Sequence, residues 1–456
     1  MPPSTAAVVC GIGIVALMLL ERDRKSQVSW ALWVPLVWLS LGASRSVSQW
    51  LGGVASVDAV ELELEGNPLD AKIFAVLLAA GLLVLLARRR RARTFWRANG
   101  PLLVFFFYCA VSILWSDYPF VAFKRWIKFG GDLVMVLVVL TDPKPTTAIK
   151  WLLARSGFVL IPLSILLIKY YPDLGRQYSA WTGEAYNVGV GTQKNDLGRI
   201  CLIFGLGSFW YLLEAFRGGE RGRPAAPLMA HGVMLAMALW LFRMADSATS
   251  FGCFLTGSGL MAVASLRTVA RRPGVLGLLA GAVLLVAVYG LILNPEAGLT
   301  EAAGRSSTLS GRTELWAQFL QMQKNPWFGA GFESFWFSSE LKEIWRTWER
   351  VNQAHNGYLD VFLNLGWVGV ALLGLVVARG YGNVFRALRR DPVAGRLKLA
   401  FFVVALLYNL TEHAFRELHP MWIVFLLAIT VVPEPSTEAR RSPSMTAPSV
   451  PETTAR

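Results

Sequence analysis

Residues 352–360 read NQAHNGYLD and stand at the entrance to a long apolar run. Asn356 is placed to cap the helix that follows, which puts His355 at that helix's positive end. The field there opposes a second positive charge, so the imidazole is expected in its base form, able to take a proton from a hydroxyl. Asp360 is an acid just inside the same run. Basic residues recur at comparable positions elsewhere: Arg312 in SGRTELW, Lys194 and Arg199 in GTQKNDLGR, Lys124, Arg125 and Lys128 in FKRWIK, and Arg243 at the end of another apolar run. Arginine stays charged and forks onto phosphate oxygens. A base beside a cationic cluster suits activation of an alcohol against an anionic leaving group. The competing reading is a hydrated interfacial histidine with lysines and arginines that anchor lipid headgroups.

The elements that must carry these residues are membrane helices. Of 456 residues, 54% are hydrophobic and 16% charged, with mean hydropathy +0.46. Soluble domains carry about 25% charged residues. Apolar runs of near 20 residues, the length that crosses a bilayer, predict an all-α, polytopic helix bundle of about 13 spans. Their approximate limits are 4–20, 28–44, 71–87, 99–115, 121–140, 151–169, 196–213, 228–243, 251–267, 275–293, 358–379, 399–414 and 420–433.

The net charge of +14 raises nucleic acid as a partner. Its distribution argues for topology instead. The loops ERDRKSQ and RRRRARTFWR and residues 379–398 are basic and read as cytoplasmic. Residues 46–70 hold no Lys or Arg and read as outside. The N-terminus is therefore expected outside and the C-terminus in the cytoplasm, with no nucleic-acid partner. Cys10, Cys109, Cys201 and Cys253 all fall in apolar runs and read as small core hydrophobes.

Two segments lie outside the spans. The Pro/Ser/Thr-rich tail 434–456 is expected to be disordered. The loop 294–357 is expected outside and helical. Its first helix would run over 312–324 behind a Ser310 cap, with Pro326 just past its end, and its second over 335–350. In NPWFGAGF, Gly329 and Gly331 are read as permitting a sharp turn. No phosphate-loop consensus occurs. His355, His413 and His419 with Glu412 and Glu417 match no familiar metal spacing, so no metal site is expected.

Two stretches taken together, GRTELWAQFLQMQKNPWFGAGFESF and NQAHNGYLDVFLNLGWVGV, resemble the signature of the O-antigen ligase and polymerase superfamily over about 310–375. GTQKNDLG is similar to an element common in its exopolysaccharide-polymerase branch. The resemblance implies a type C glycosyltransferase-like fold in the bacterial inner membrane, with the N-terminus periplasmic. It divides the chain into an N-terminal bundle at 1–293, a periplasmic loop at 294–357, C-terminal spans at 358–433 and the cytoplasmic tail. It further implies metal-independent, inverting transfer, without a cofactor, from a polyprenyl-diphosphate glycan donor to a glycan or lipid A core acceptor. Other polysaccharide-assembly proteins would be partners. His355 takes the place of the family's histidine base and Arg312 that of an essential arginine. A Ser-x-Ser-Arg-like element is matched only by FRMADSATS, which has no Arg among its serines, with Arg243 as the substitute. Polymerase is favoured; ligase and non-enzymatic flippase are the alternatives.

Overall fold

The computed structural model of the chain describes residues 1–21, 28–52, 66–178, 183–217, 225–270, 272–290, 308–338, 341 and 353–433. Helices dominate, because backbone polar groups in hydrocarbon must be satisfied within their own segment. They are α1 (Pro3–Leu20), α2 (Trp33–Ala43), α3 (Pro68–Ala87), α4 (Arg89–Ala98), α5 (Gly100–Val111), α6 (Pro119–Leu140), α7 (Pro145–Tyr170), α8 (Lys194–Arg217), α9 (Ala225–Ala245), α10 (Ala248–Ala264), α11 (Pro273–Val288), α12 (Thr308–Met322), α13 (Gly357–Arg390), α14 (Pro392–Tyr408) and α15 (Pro420–Ile429). A two-stranded hairpin, β1 (Arg176–Tyr178) with β2 (Ala185–Asn187), is the one sheet among the described residues. The chain is an all-α polytopic membrane protein. Six described helices are long and apolar enough to cross a bilayer, or seven if α4 and the bent segment 100–115 form one span.

Burial grades from rim to centre. α1 and α3 expose Ile12 and Leu83 and face lipid. Every residue of α15 is buried, and in α14 all but Pro392, Val393 and Lys398 are. A helix that is apolar on all sides belongs at the centre of a bundle. Trp422 of α15 stacks on Phe129 of α6 at 5.1 Å and 5°, which ties the centre to its neighbours.

Several boundaries differ from the sequence reading. α12 begins at Thr308, so Ser310 lies inside the helix and does not cap it. The predicted helix 335–350 opens as a single 3-10 turn at Phe335–Phe337; residues 339–340 and 342–350 lie outside the described residues, as do 294–307 and the tail 434–456. The span predicted at 358–379 runs on to Arg390 and is broken at Gly366, whose φ of 64° and ψ of −168° are not helical.

That break frees backbone groups on both sides of it, and the turn at 326–331 satisfies them. Leu363 and Asn364 carbonyls accept from the Ala330 and Gly331 N–H groups, at 3.1 and 2.8 Å. The Trp367 and Val368 N–H groups donate to the Pro326 and Trp327 carbonyls, at 2.9 and 3.1 Å. The Asn364 side chain accepts from the Ser334 and Phe335 N–H groups. Gly329 and Gly366 make the approach possible. Both have positive φ, and a Cβ on either would strike the other segment's backbone. The glycine turn thus latches onto a gap in a helix, a more specific task than the sharp turn expected of it.

Candidate active site

The ends of α8, α13, α14 and α15 converge with the loop 409–419. Asn356 caps α13: its Oδ1 accepts from the Tyr358 and Leu359 N–H groups at 3.0 and 3.1 Å. His355 stands immediately outside the cap with φ of 51°. A non-glycine residue held there costs about 1–3 kcal/mol, and such strain gathers at functional sites. Its neighbours fix it. The Ala354 N–H donates to Asp360 Oδ2 at 3.2 Å, and the Gly357 N–H meets the carbonyls of Asn409 at 2.8 Å and Glu412 at 3.0 Å. A Cβ at Gly357 would collide with the Asn409 side chain. Asn356 is therefore fixed by its cap bonds and Gly357 by the close approach of Asn409.

The imidazole is about one-third exposed, and its Nδ1 lies 3.5 Å from Glu412 Oε2. Glu412 is buried, and its Oε1 accepts from Asn195 Nδ2 of α8 at 2.9 Å. The Ser247 hydroxyl, at the start of α10, donates to Asn195 Oδ1 at 3.4 Å. GTQKNDLGR, DSATS and NQAHNG thus meet through one carboxylate. A carboxylate facing Nδ1 fixes that nitrogen as the N–H and leaves Nε2 as the base, as in other histidine–carboxylate pairs.

Arg199, a turn beyond Asn195 on α8, and Arg416, in the loop that carries Glu412, bring positive charge to the same elements. Arg199 Nη2 pairs with Asp196 at 3.1 Å, and its Nη1 meets His419 Nε2 at 2.8 Å. Arg125 bonds Glu333 at 3.2 Å, lies 3.9 Å from Glu417 and covers the Phe337 ring at 4.6 Å. The charge of Arg416 acts on Glu333, Asp360, His413 and His419. Burial, with the Glu417 charge beside it, pushes the Glu333 carboxyl above its ordinary value. Burial and then Arg416 hold the His413 imidazole well below its own; burial and then Arg199 do the same to His419. Asp360 is buried, accepts from Trp336 Nε1 at 2.8 Å and lies 3.6 Å from His413, too far for a hydrogen bond.

The depressed His419 has a pH consequence. Folding leaves it neutral where the unfolded chain would protonate it, so its stabilisation is complete above about pH 6.5 and shrinks as pH falls. Thermal unfolding in detergent of wild type and His419→Gln should show the stability difference moving against wild type by about 1.4 kcal/mol per pH unit between pH 6 and 5. A pH-independent difference would contradict a neutral, buried ring.

The other sequence candidates are dispersed. Lys194 and Arg243 are exposed, at the first residue of α8 and the last turn of α9. Lys124 lies over Phe120 at 5.1 Å, and Lys128 over Phe74 at 6.0 Å, within the field of Glu417. Arg312 is on the first turns of α12; its side chain lies outside the described residues. The histidines face different neighbours: His355 meets Glu412, His413 lies near Asp360 without bonding it, and His419 meets Arg199. Among the described residues no three His, Cys, Asp or Glu side chains converge on one point. Sequence reasoning passed over Asn195, Ser247, Glu333 and Arg416, and weighed Glu412 only as a metal ligand. The density of charge in TEHAFRELH, between two apolar runs, was the available signal.

Residues 232–374 match the family described as O-Antigen ligase. The chain is 26% identical over 321 residues to the exopolysaccharide production protein ExoQ of Rhizobium meliloti (strain 1021), covering 67% of this chain and 70% of that one. The family match covers the glycine turn, the first half of the latched helix and His355, and stops short of Glu412. Taken together, the helical membrane fold, this match and the similarity along most of the chain support a relationship to the O-antigen ligase and polymerase superfamily.

Proposed function

We propose that the chain is a polysaccharide polymerase that joins one polyprenyl-diphosphate-linked oligosaccharide to a sugar hydroxyl on another. The observation that carries this reading is the His355–Glu412–Asn195 chain, a partly exposed histidine facing a buried carboxylate that a side-chain amide holds. As the acceptor oxygen bonds the donor's anomeric carbon, its proton passes to His355 Nε2. The bond from that carbon to the diphosphate oxygen breaks, and its electron pair leaves with the polyprenyl diphosphate. Glu412 stabilises the imidazolium that forms. Arg199 and Arg416, with Arg312 as the family resemblance implies, neutralise the leaving diphosphate. One displacement with base and leaving group on opposite faces inverts the anomeric centre, and the arginines supply the charge a metal would otherwise provide.

The donor's lipid stays in the bilayer while its sugar reaches water, so the site belongs at an interface. The basic loops at the opposite end of the helices support the outer face, with the N-terminus outside and the C-terminus in the cytoplasm. Similarity to an exopolysaccharide production protein supports polymer synthesis. Ligation to a lipid A core or another acceptor is the second reading, supported by the family match. Deleting the gene and analysing the lipid-linked glycans separates them. Single repeat units should accumulate if the chain polymerises. Long chains still on the carrier would support ligation, and units confined to the cytoplasmic face would overturn both in favour of a flippase.

A further inference from the structure

A cavity of about 500 Å³ opens beside the site, between the segment that follows α5, the end of α12 and the latched glycine turn. Its volume falls in the range of small-molecule sites. Trp115 and Phe328 line it edge to face at 6.0 Å, 36% and 48% exposed. Three polar side chains line it with bonding capacity that no described residue takes up. Gln323 uses Nε2 on the Phe362 and Leu363 carbonyls, at 3.1 and 3.0 Å, and keeps its own carbonyl oxygen open. Asn325 uses Oδ1 on the Trp327 and Phe328 N–H groups and keeps its amide N–H donors. Asp117 is exposed and bonds no described residue. Lys324 also lines the cavity, so its charges balance and give no preference for a phosphate.

Apolar ring faces beside fixed amides and a carboxylate match a pyranose, which has C–H faces and a hydroxyl edge. The far wall leads to the base. Phe335 packs on Trp336 at 5.2 Å; Trp336 Nε1 donates to Asp360, which holds the Ala354 N–H next to His355. We propose that this groove holds a saccharide, a sugar segment of the acceptor or growing chain beyond the reacting residue, and that its grip sets how far a chain extends before release. The proposal rests on the transferase reading and adds a second sugar-binding site to it.

The test titrates the full chain in detergent with delipidated repeat-unit oligosaccharide, released from the cell's own carrier by mild acid, and follows binding by calorimetry without donor. Trp115→Ala should weaken binding about tenfold and Asp117→Asn by severalfold. In cells both should shorten the polymer to about half its usual length or less, while first-bond formation stays within about twofold of wild type. Asp117→Asn removes no described contact, so it reports on the groove even if Trp115→Ala folds poorly. Wild-type affinity and chain length in Asp117→Asn would overturn the proposal. So would heat from sn-glycerol 3-phosphate in place of the oligosaccharide, which would make the groove a lipid-headgroup site. A wild-type chain that binds the oligosaccharide and forms no bond from lipid-linked donor would instead overturn the transferase reading and leave the groove standing.

Discussion

His355→Asn should lower glycosyl transfer by about 10²–10⁴-fold, the typical contribution of a positioned base. Asparagine is chosen because the backbone at 355 is left-handed, with φ of 51°, and asparagine adopts that conformation readily. The fold is thus spared while the proton acceptor is removed. On the proposed mechanism the arginines, which the substitution leaves alone, hold the diphosphate, so the donor should still bind and turnover should fall with little change in donor KM. Glu412→Gln should give a smaller loss, at least tenfold, since it keeps the side chain's size but not the charge that orients the ring and stabilises the imidazolium. Transfer measured in proteoliposomes with lipid-linked donor checks both. Full activity in His355→Asn would remove His355 as the base.

Gly366→Ala should have the largest effect on stability. The residue's φ and ψ lie in a region nearly restricted to glycine, which alone costs about 1–3 kcal/mol. The added Cβ would also strike the backbone at Trp327, forcing the 326–331 turn off the helix and exposing four backbone hydrogen bonds at once. In hydrocarbon those groups have no water to replace the lost partners. Little folded protein is expected from Gly366→Ala, and the same from Gly329→Ala, which fails at the other side of the same contact. Gly374→Ala is the control: its Cβ meets nothing within 4 Å, and alanine favours the helix. Size-exclusion profiles of fluorescent fusions in detergent should show a monodisperse peak for Gly374→Ala and not for the other two. A monodisperse, thermally wild-type Gly366→Ala would refute the latch.

Apolar run length was enough to find helices because the bilayer imposes both length and composition. Each of the thirteen predicted runs carries a helix, while six of the described helices, or seven with the bent pair, are long and apolar enough to cross a bilayer. The break at Gly366 was hidden for the same reason: LGWVGV is apolar throughout, and the partners that permit a gap lie some forty residues earlier in the chain. The cap at Asn356 and the basic surroundings were readable as local chemistry. The His355–Glu412 and Asn195–Glu412 links were not, because their partners are 57 and 217 residues apart and only packing brings them together. Lone charges such as Lys194 and Arg243 look alike in a sequence whether they face a substrate or water.

The burial of α14 and α15 bears on biogenesis. The two innermost helices leave the ribosome after most of the others, so the earlier helices must wait in the bilayer as an open ring around a space not yet filled. The loop that supplies Glu412 joins those same two helices. On the proposed mechanism, a nascent chain would hold His355 before it has the carboxylate that faces the ring, and would become competent only when its centre is threaded and closed.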